Sequence, residues 1–255
     1  MMKGSIVIDC FPESVLRYRD RYVIVVIDVI RATTTATTAV SLGRRVFPVL
    51  TTDEAFVLAS TLRDPLLVGE LGGNMPYGFE MTNSPAQIAV RNDIHRPMIL
   101  VSSSGTQLLL NAKGSEAVYI ACFRNLSAIA EYLAGRHERI AILGAGTRGQ
   151  FRREDQMGCA WVAEKLIQVG YEAETPQTKE YISRWNGVSP EEVRGGRSAE
   201  YICQSGQEQD LEFILNHIDD LDTVPALVDS ELVMASGTVL KPFSQSVYNI
   251  FSGLS

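Results

Sequence analysis

Asp28 closes the apolar run Tyr22–Ile27, and Arg31 follows it closely in the stretch RYVIVVIDVIRATTTATTAVSL, residues 21–42. A carboxylate is costly to bury unpaired, so one that ends a buried run belongs where a cation, a metal or an arginine can meet it. Thr33-Thr34-Thr35 then opens an Ala/Thr-rich segment that ends at Gly43. A helix start there aims hydroxyls and unpaired N–H groups at the spot where Asp28 emerges, with Gly43 as the C-terminal cap. The plain alternative is that Asp28 pairs with Arg31 to seal a sheet end and that the threonines are merely small. Five threonines within Thr33–Thr38 are poor helix formers, however. Local propensity given up beside a strand-end carboxylate favours a site.

The arrangement recurs along the chain. Leu66–Val68 is a second apolar run, and it ends at Gly69-Glu70. Pro97–Val101 is a third, followed by Ser102-Ser103-Ser104-Gly105-Thr106 and a helical run from Gln107. The N–H and O–H donors of that turn suit a phosphate or a sulfonate, although a plain helix cap has the same composition. Glu138–Leu143 leads into the glycine turn Gly144–Gly149, after which Glu154 precedes a long helical segment, Asp155–Val169.

Only a scaffold that gathers distant turns can make one site of these residues. Runs of strand character at Ser5–Asp9, Arg45–Leu50 and Glu116–Ala121 join those already named, and helix-period segments such as Asn125–Ala134 alternate with them. Thr51-Thr52-Asp53-Glu54 offers a capping box for one of these helices. The alternation is that of βαβ units, and it predicts a three-layer α/β/α fold with a largely parallel sheet. Ligands in such folds bind at the C-terminal ends of the strands, so Asp28, Glu70, Ser102–Thr106 and the glycine turn are expected on one rim. The long loop Leu71–Ser84, closed by Pro85 at a helix start, fits a functional segment packed by Tyr77 and Phe79. After Gly170 the pattern weakens, with helix-like stretches near Lys179–Trp185 and Pro190–Val193, an amphipathic Leu211–Ile218, and short strands at Val224–Val228 and Glu231–Ala235. No linker interrupts the chain, so a single α/β domain over 1–255 is expected, its recognisable core at 21–170.

With 255 residues and ordinary globular composition the chain can bury a sizeable core. A formal charge of −7 without a long Lys/Arg run argues against nucleic acid or an anionic membrane as partner. Cys10, Cys122, Cys159 and Cys203 are scattered, which signals neither a disulfide framework nor a zinc site. Without a signal-peptide core or an apolar run near the ~18 residues of a membrane helix, the expected location is cytoplasmic. A homo-oligomer stays open.

Several motifs fail on inspection. Gly144–Gly149 has G-x-G-x-x-G spacing after a strand, but Gln150-Phe151-Arg152-Arg153-Glu154-Asp155 would crowd a pyrophosphate, and Gln150-Phe151 stands where a P-loop needs Lys and Ser/Thr. No cysteine has an arginine six residues on, and Ile30 breaks a D-x-D pattern. Neither His95 nor His217 has a partner at metal-ligand spacing.

Taken together, the blocks resemble the 2-phosphosulfolactate phosphatase family, magnesium-dependent enzymes of the route to coenzyme M. Val26-Ile27-Asp28-Val29-Ile30-Arg31-Ala32-Thr33-Thr34 is similar to its first signature, and Gly69-Glu70-Leu71-Gly72-Gly73 with Gly78-Phe79-Glu80 and Asn83-Ser84-Pro85 to its second. Ser103-Ser104-Gly105-Thr106 is similar to the third, and Ala145-Gly146-Thr147 with Gly149, Phe151, Glu154 and Asp155 to the fourth. The chain departs at Leu71, where arginine commonly follows Gly-Glu, and at Glu80 and Thr82, where Asp and Gly are more frequent.

The resemblance implies hydrolysis of a small anionic phosphorylated substrate, 2-phosphosulfolactate going to sulfolactate and phosphate, with Mg2+ as cofactor. Asp28, Arg31, Glu70 and Asp155 are then the expected catalytic residues, and Asp28, Glu70, Glu154 and Asp155 the expected metal carboxylates. Arg31 clamps the phosphoryl group, while Thr33, Thr34, Asn83, Ser84, Ser103, Ser104, Gly105 and Thr106 bind remaining oxygens. Arg124 or Arg148 holds the carboxylate or sulfonate end. Direct attack by Asp28 to give an aspartyl phosphate, another phosphorylated hydroxy acid as substrate, and a non-catalytic anion- or nucleotide-binding protein are the alternatives.

Overall fold

The computed structural model describes residues 4–146 and 149–236. β1 (Ser5–Asp9) is followed by the short helix α1 (Val15–Tyr18), and β2 (Val23–Ile27) by α2 (Ala32–Ser41). The chain continues through β3 (Val46–Val49), α3 (Thr52–Ala59), β4 (Leu66–Gly69), α4 (Pro85–Ala89), β5 (Met98–Val101) and α5 (Gly105–Asn111). Next come β6 (Val118–Ala121), α6 (Leu126–Leu133), β7 (Arg139–Gly144) and the long α7 (Arg153–Gln168). The last part comprises β8 (Glu172–Ala173), α8 (Pro176–Trp185), α9 (Arg197–Gln204), α10 (Glu208–Asn216), β9 (Pro225–Val228) and β10 (Glu231–Met234).

The strands form one sheet in the order β4-β5-β3-β10-β9-β6-β2-β7-β1-β8. β4, β5 and β3 are a parallel block, and β6, β2, β7, β1 and β8 a second one. The antiparallel pair β9 and β10 joins them, each touching its block at a single residue pair, Leu232 with Val46 and Tyr119 with Ala226. In a flat sheet β2 and β3, four places apart, would be separated by about 19 Å. The seven-residue α5, roughly 10 Å long, packs on both. The sheet therefore curls around α5, which is how the carboxyl ends of both blocks reach one site.

Period-two burial explains the three layers. Val23, Val25 and Ile27 of β2 face a core shared with α6, α7 and the C-terminal helices, including Met157, Trp185, Ile202 and Ile214. Ile24 and Val26 face the opposite core, with Ala36 and Ala39 of α2 and Leu108 of α5. A strand buried on both faces reads as a continuous apolar run, as β2 does. The threonines of α2 are buried against the sheet, and hydroxyl bonds offset their weak propensity: Thr33 donates to the Asp28 carbonyl, Thr34 to Val29 and Thr38 to Thr34. Helix α9 was not legible in the polar stretch Thr175–Gly206, and α5 begins at Gly105 rather than Gln107. Among the described residues no helix is long and apolar enough to cross a membrane.

Candidate active site

Asp28 sits where β2 ends and α2 begins, 7% exposed. Its Oδ1 accepts the Ala32 N–H at 3.2 Å, and its own N–H meets the Thr33 hydroxyl at 3.0 Å. Burial first, then the charge of Glu70, pushes its carboxyl up to about 7, with the Ala32 N–H opposing. Asp155, on the first turn of α7, is equally buried, and its Oδ1 accepts the Val29 N–H at 2.8 Å. That bond ties α7 to the segment after β2 and leaves the second oxygen free of it. Burial, then the charges of Asp28 and Glu154, pushes Asp155 well above the usual carboxylate range.

Glu70 leaves β4 and organises two turns. Its oxygens accept the Ser103 N–H at 2.7 Å, the Ser103 hydroxyl at 3.0 Å and the Gly73 N–H at 2.7 Å. Ser103 also accepts the Gly72 N–H, so the Gly72-Gly73 turn and the start of α5 are held together through one carboxylate. Ser102 and Thr106 close the same turn reciprocally, each side chain taking the other's backbone N–H. Gly105 is dictated by space: a Cβ there would lie 2.4 Å from Asp28 Oδ2 and 2.6 Å from the Ala32 Cβ. The backbone at the start of α5 thus lies directly against the Asp28 carboxylate.

Arg31 is buried, and one guanidinium nitrogen is committed to Asp210 at 2.6 Å and Gln207 at 2.5 Å. Asp210, wholly buried, also takes the Ser84 hydroxyl at 2.5 Å and the Ala86 N–H at 3.2 Å. A cavity of about 790 Å3 opens over these groups, lined by Asp28, Arg31, Glu70, Ser103, Ser104 and Asp155. Gln150, Arg152, Arg197, Ser198 and Tyr201 contribute to the rest of its wall, as do Glu13 and Gln107.

The expected residues are not all brought together. Thr33 and Thr34 bond back to the backbone, the Asn83 carbonyl accepts the Thr35 hydroxyl, Ser84 caps α4, and Thr106 closes its own turn. These five shape the site from behind the cavity wall. Arg124 stands apart, chelating Asp220 at 2.7 and 2.9 Å and donating to Thr38. Arg148 lies outside the described residues. Glu154 lies toward Gly196 and does not line the cavity; neither of its buried oxygens makes a close hydrogen bond among the described residues, although Ser198 is near enough to favour the charged form. Burial nonetheless pushes its carboxyl up.

Sequence reasoning missed Asp210, Arg152, Arg197 and Tyr201. Asp210 had a signal: it precedes Leu211 and lies four residues from Ile214, which places an acid on the apolar face of an amphipathic helix. Arg152 and Arg197 had none, since an arginine in a polar segment reads as solvated surface.

Among the described residues no three His, Cys, Asp or Glu side chains converge as a cage. Mg2+ rarely uses one; it takes one or two carboxylates, keeps several waters and shares substrate phosphate oxygens. Asp28 and Asp155, two buried carboxylates that line one cavity, the charge of the first raising the second, fit that habit.

Fold and cavity together define a three-layer α/β protein that gathers acidic and basic side chains beyond the carboxyl ends of its strands, the arrangement of a small-anion site. The family model described as 2-phosphosulpholactate phosphatase matches residues 10–230. A probable 2-phosphosulfolactate phosphatase of Thermotoga maritima is 33% identical over 211 residues, covering 82% of this chain and 91% of that protein. Proteins given the same description are 30% identical in Carboxydothermus hydrogenoformans, over 91% of this chain and 97% of theirs, and 30% in Deinococcus radiodurans, over 89% and 95%. This chain belongs to the 2-phosphosulfolactate phosphatase family.

Proposed function

We propose that this chain is a Mg2+-dependent phosphatase acting on the phosphate monoester of a small 2-hydroxy acid, with 2-phosphosulfolactate, the substrate in its relatives' names, as the foremost candidate. The observation that carries the reading is the pair Asp28 and Asp155, both buried and both lining the cavity that Arg31 also lines. Asp28 would hold Mg2+, which when bound supplies positive charge against the phosphoryl oxygens.

The chain's own residues account for the rest. Arg31, steadied by Asp210, presents its remaining N–H groups to the phosphoryl group. The Gly105 N–H at the start of α5 offers a further donor. Water adds to phosphorus as the ester P–O bond breaks, and the leaving alkoxide takes a proton from solvent to give the free hydroxy acid. Asp155, which lines the cavity and whose proton affinity is raised, takes the proton of the attacking water. Glu70 acts through Ser103 and Gly73, keeping the two turns in place.

The test is phosphate release from 2-phosphosulfolactate, phospholactate and other phosphorylated 2-hydroxy acids, with Mg2+ and with EDTA. Turnover that requires the metal and prefers the sulfonate supports both chemistry and substrate. Absence of turnover across the panel overturns the proposal.

A further inference from the structure

Positive charge left unpaired in an acidic protein is informative. Of the described arginines, Arg31, Arg44, Arg45, Arg124, Arg139 and Arg194 each pair with a carboxylate, as do most others. Arg152 has no ion-pair partner among the described residues, and Arg197 donates only to the neutral side chain of Gln150. Both line the 790 Å3 cavity. Two guanidinium groups without an ion-pair partner, lining the same cavity as Asp28, Glu70 and Asp155, supply positive charge that an anion entering the cavity can meet.

Local geometry sets how far that end lies from the reacting group. Arg152 is the N-cap of α7 and Asp155 lies three residues on. Positions so spaced share a helix face with Cβ atoms about 5–6 Å apart. Arg197 opens α9, whose approach to α7 is close: a Cβ on Gly196 would lie 3.1 Å from Glu154 Oε2. Tyr201, one turn further along α9, lies over Gly73, where a Cβ would meet its ring at 2.3 Å. Gly73 is in turn fixed by Glu70. The wall that carries the arginines is therefore anchored to both α7 and the Gly72-Gly73 turn.

We propose that Arg152 and Arg197 form a second anion subsite that takes the carboxylate or sulfonate of the substrate while its phosphoryl group lies against Asp28 and Arg31. The subsite selects phosphate esters with a second negative group within a few bonds of the ester oxygen. Its assignment to a phosphate ester rests on the phosphatase reading, whereas anion binding by the two arginines does not.

The experiment compares the holoenzyme with Arg152→Gln, Arg197→Gln and the double variant. kcat/KM is measured for 2-phosphosulfolactate and for 4-nitrophenyl phosphate, which lacks a second anion. The ratio of the two is expected to fall at least tenfold in each single variant and at least 50-fold in the double variant. An unchanged ratio overturns the proposal. Calorimetric titration with sulfolactate, which has no phosphate, separates the two claims: binding to the wild type, weakened at least tenfold in the double variant, upholds the subsite even where no ester is hydrolysed. Binding of sulfolactate equally by wild type and double variant rejects it even where hydrolysis is observed.

Discussion

At the residue scale the site is a store of unfavourable charge. Folding raises the Asp28 carboxyl from an ordinary 3.8 to about 7, chiefly by burial. The folded state then holds a proton that the unfolded chain releases, so the metal-free protein loses stability as pH climbs from about 4 to about 7 and gains none back above that. Asp28→Asn keeps an oxygen for the Ala32 N–H and removes the charge. In EDTA at pH 7.5 its Tm is expected to exceed that of the wild type by about 3 °C or more, with a smaller difference at pH 5, read by circular dichroism. A lower Tm at pH 7.5 would show that burial of the charge is already compensated. Asp210→Ala has the opposite sense, because it strands Arg31 in a buried place. A loss of about 3–5 kcal/mol, roughly a 10 °C fall in Tm by calorimetry, is expected together with a raised KM.

At the element scale, close backbone approach decides what the site tolerates. Gly105→Ala adds one methyl group that collides with Asp28 and Ala32, so α5 must shift. Turnover is expected to fall at least 100-fold, while Thr106 and Ser102 still close the turn and the fold survives; near-normal rates would mean that the α5 start does not contact substrate. The antiparallel pair β9 and β10 is the sheet's weak joint, since each strand meets its block through one residue pair. Hydrogen exchange is expected to be faster there than in β2, which is paired along its length on both sides. Equal protection of β9 and β2 would contradict this.

At the scale of the whole molecule, what the sequence disclosed follows from what a local rule can register. An acid ending an apolar run, as Asp28 and Glu70 do, breaks the burial rule locally and is visible without a structure. The alternation that positions them was equally visible, and so was their convergence on one rim. The curl of the sheet was not, because it depends on how β9 and β10 join two parallel blocks through single contacts. Nor was the pairing of Arg31 with Asp210 across 179 positions of sequence, or the wall built by α9, whose arginine differs from a surface arginine only in where packing puts it. Trp185, Ile202 and Ile214 lock this last part of the chain into the same core as β2, so it completes the site rather than decorating it.

The most direct measurement is the initial rate of phosphate release from 2-phosphosulfolactate by wild type and Asp28→Asn, both at saturating Mg2+. The wild type is expected to turn over and the variant to be slower by at least 1000-fold, on the order of 4 kcal/mol of lost transition-state stabilisation. Near-normal turnover by Asp28→Asn would contradict the assignment of Asp28 to the catalytic centre.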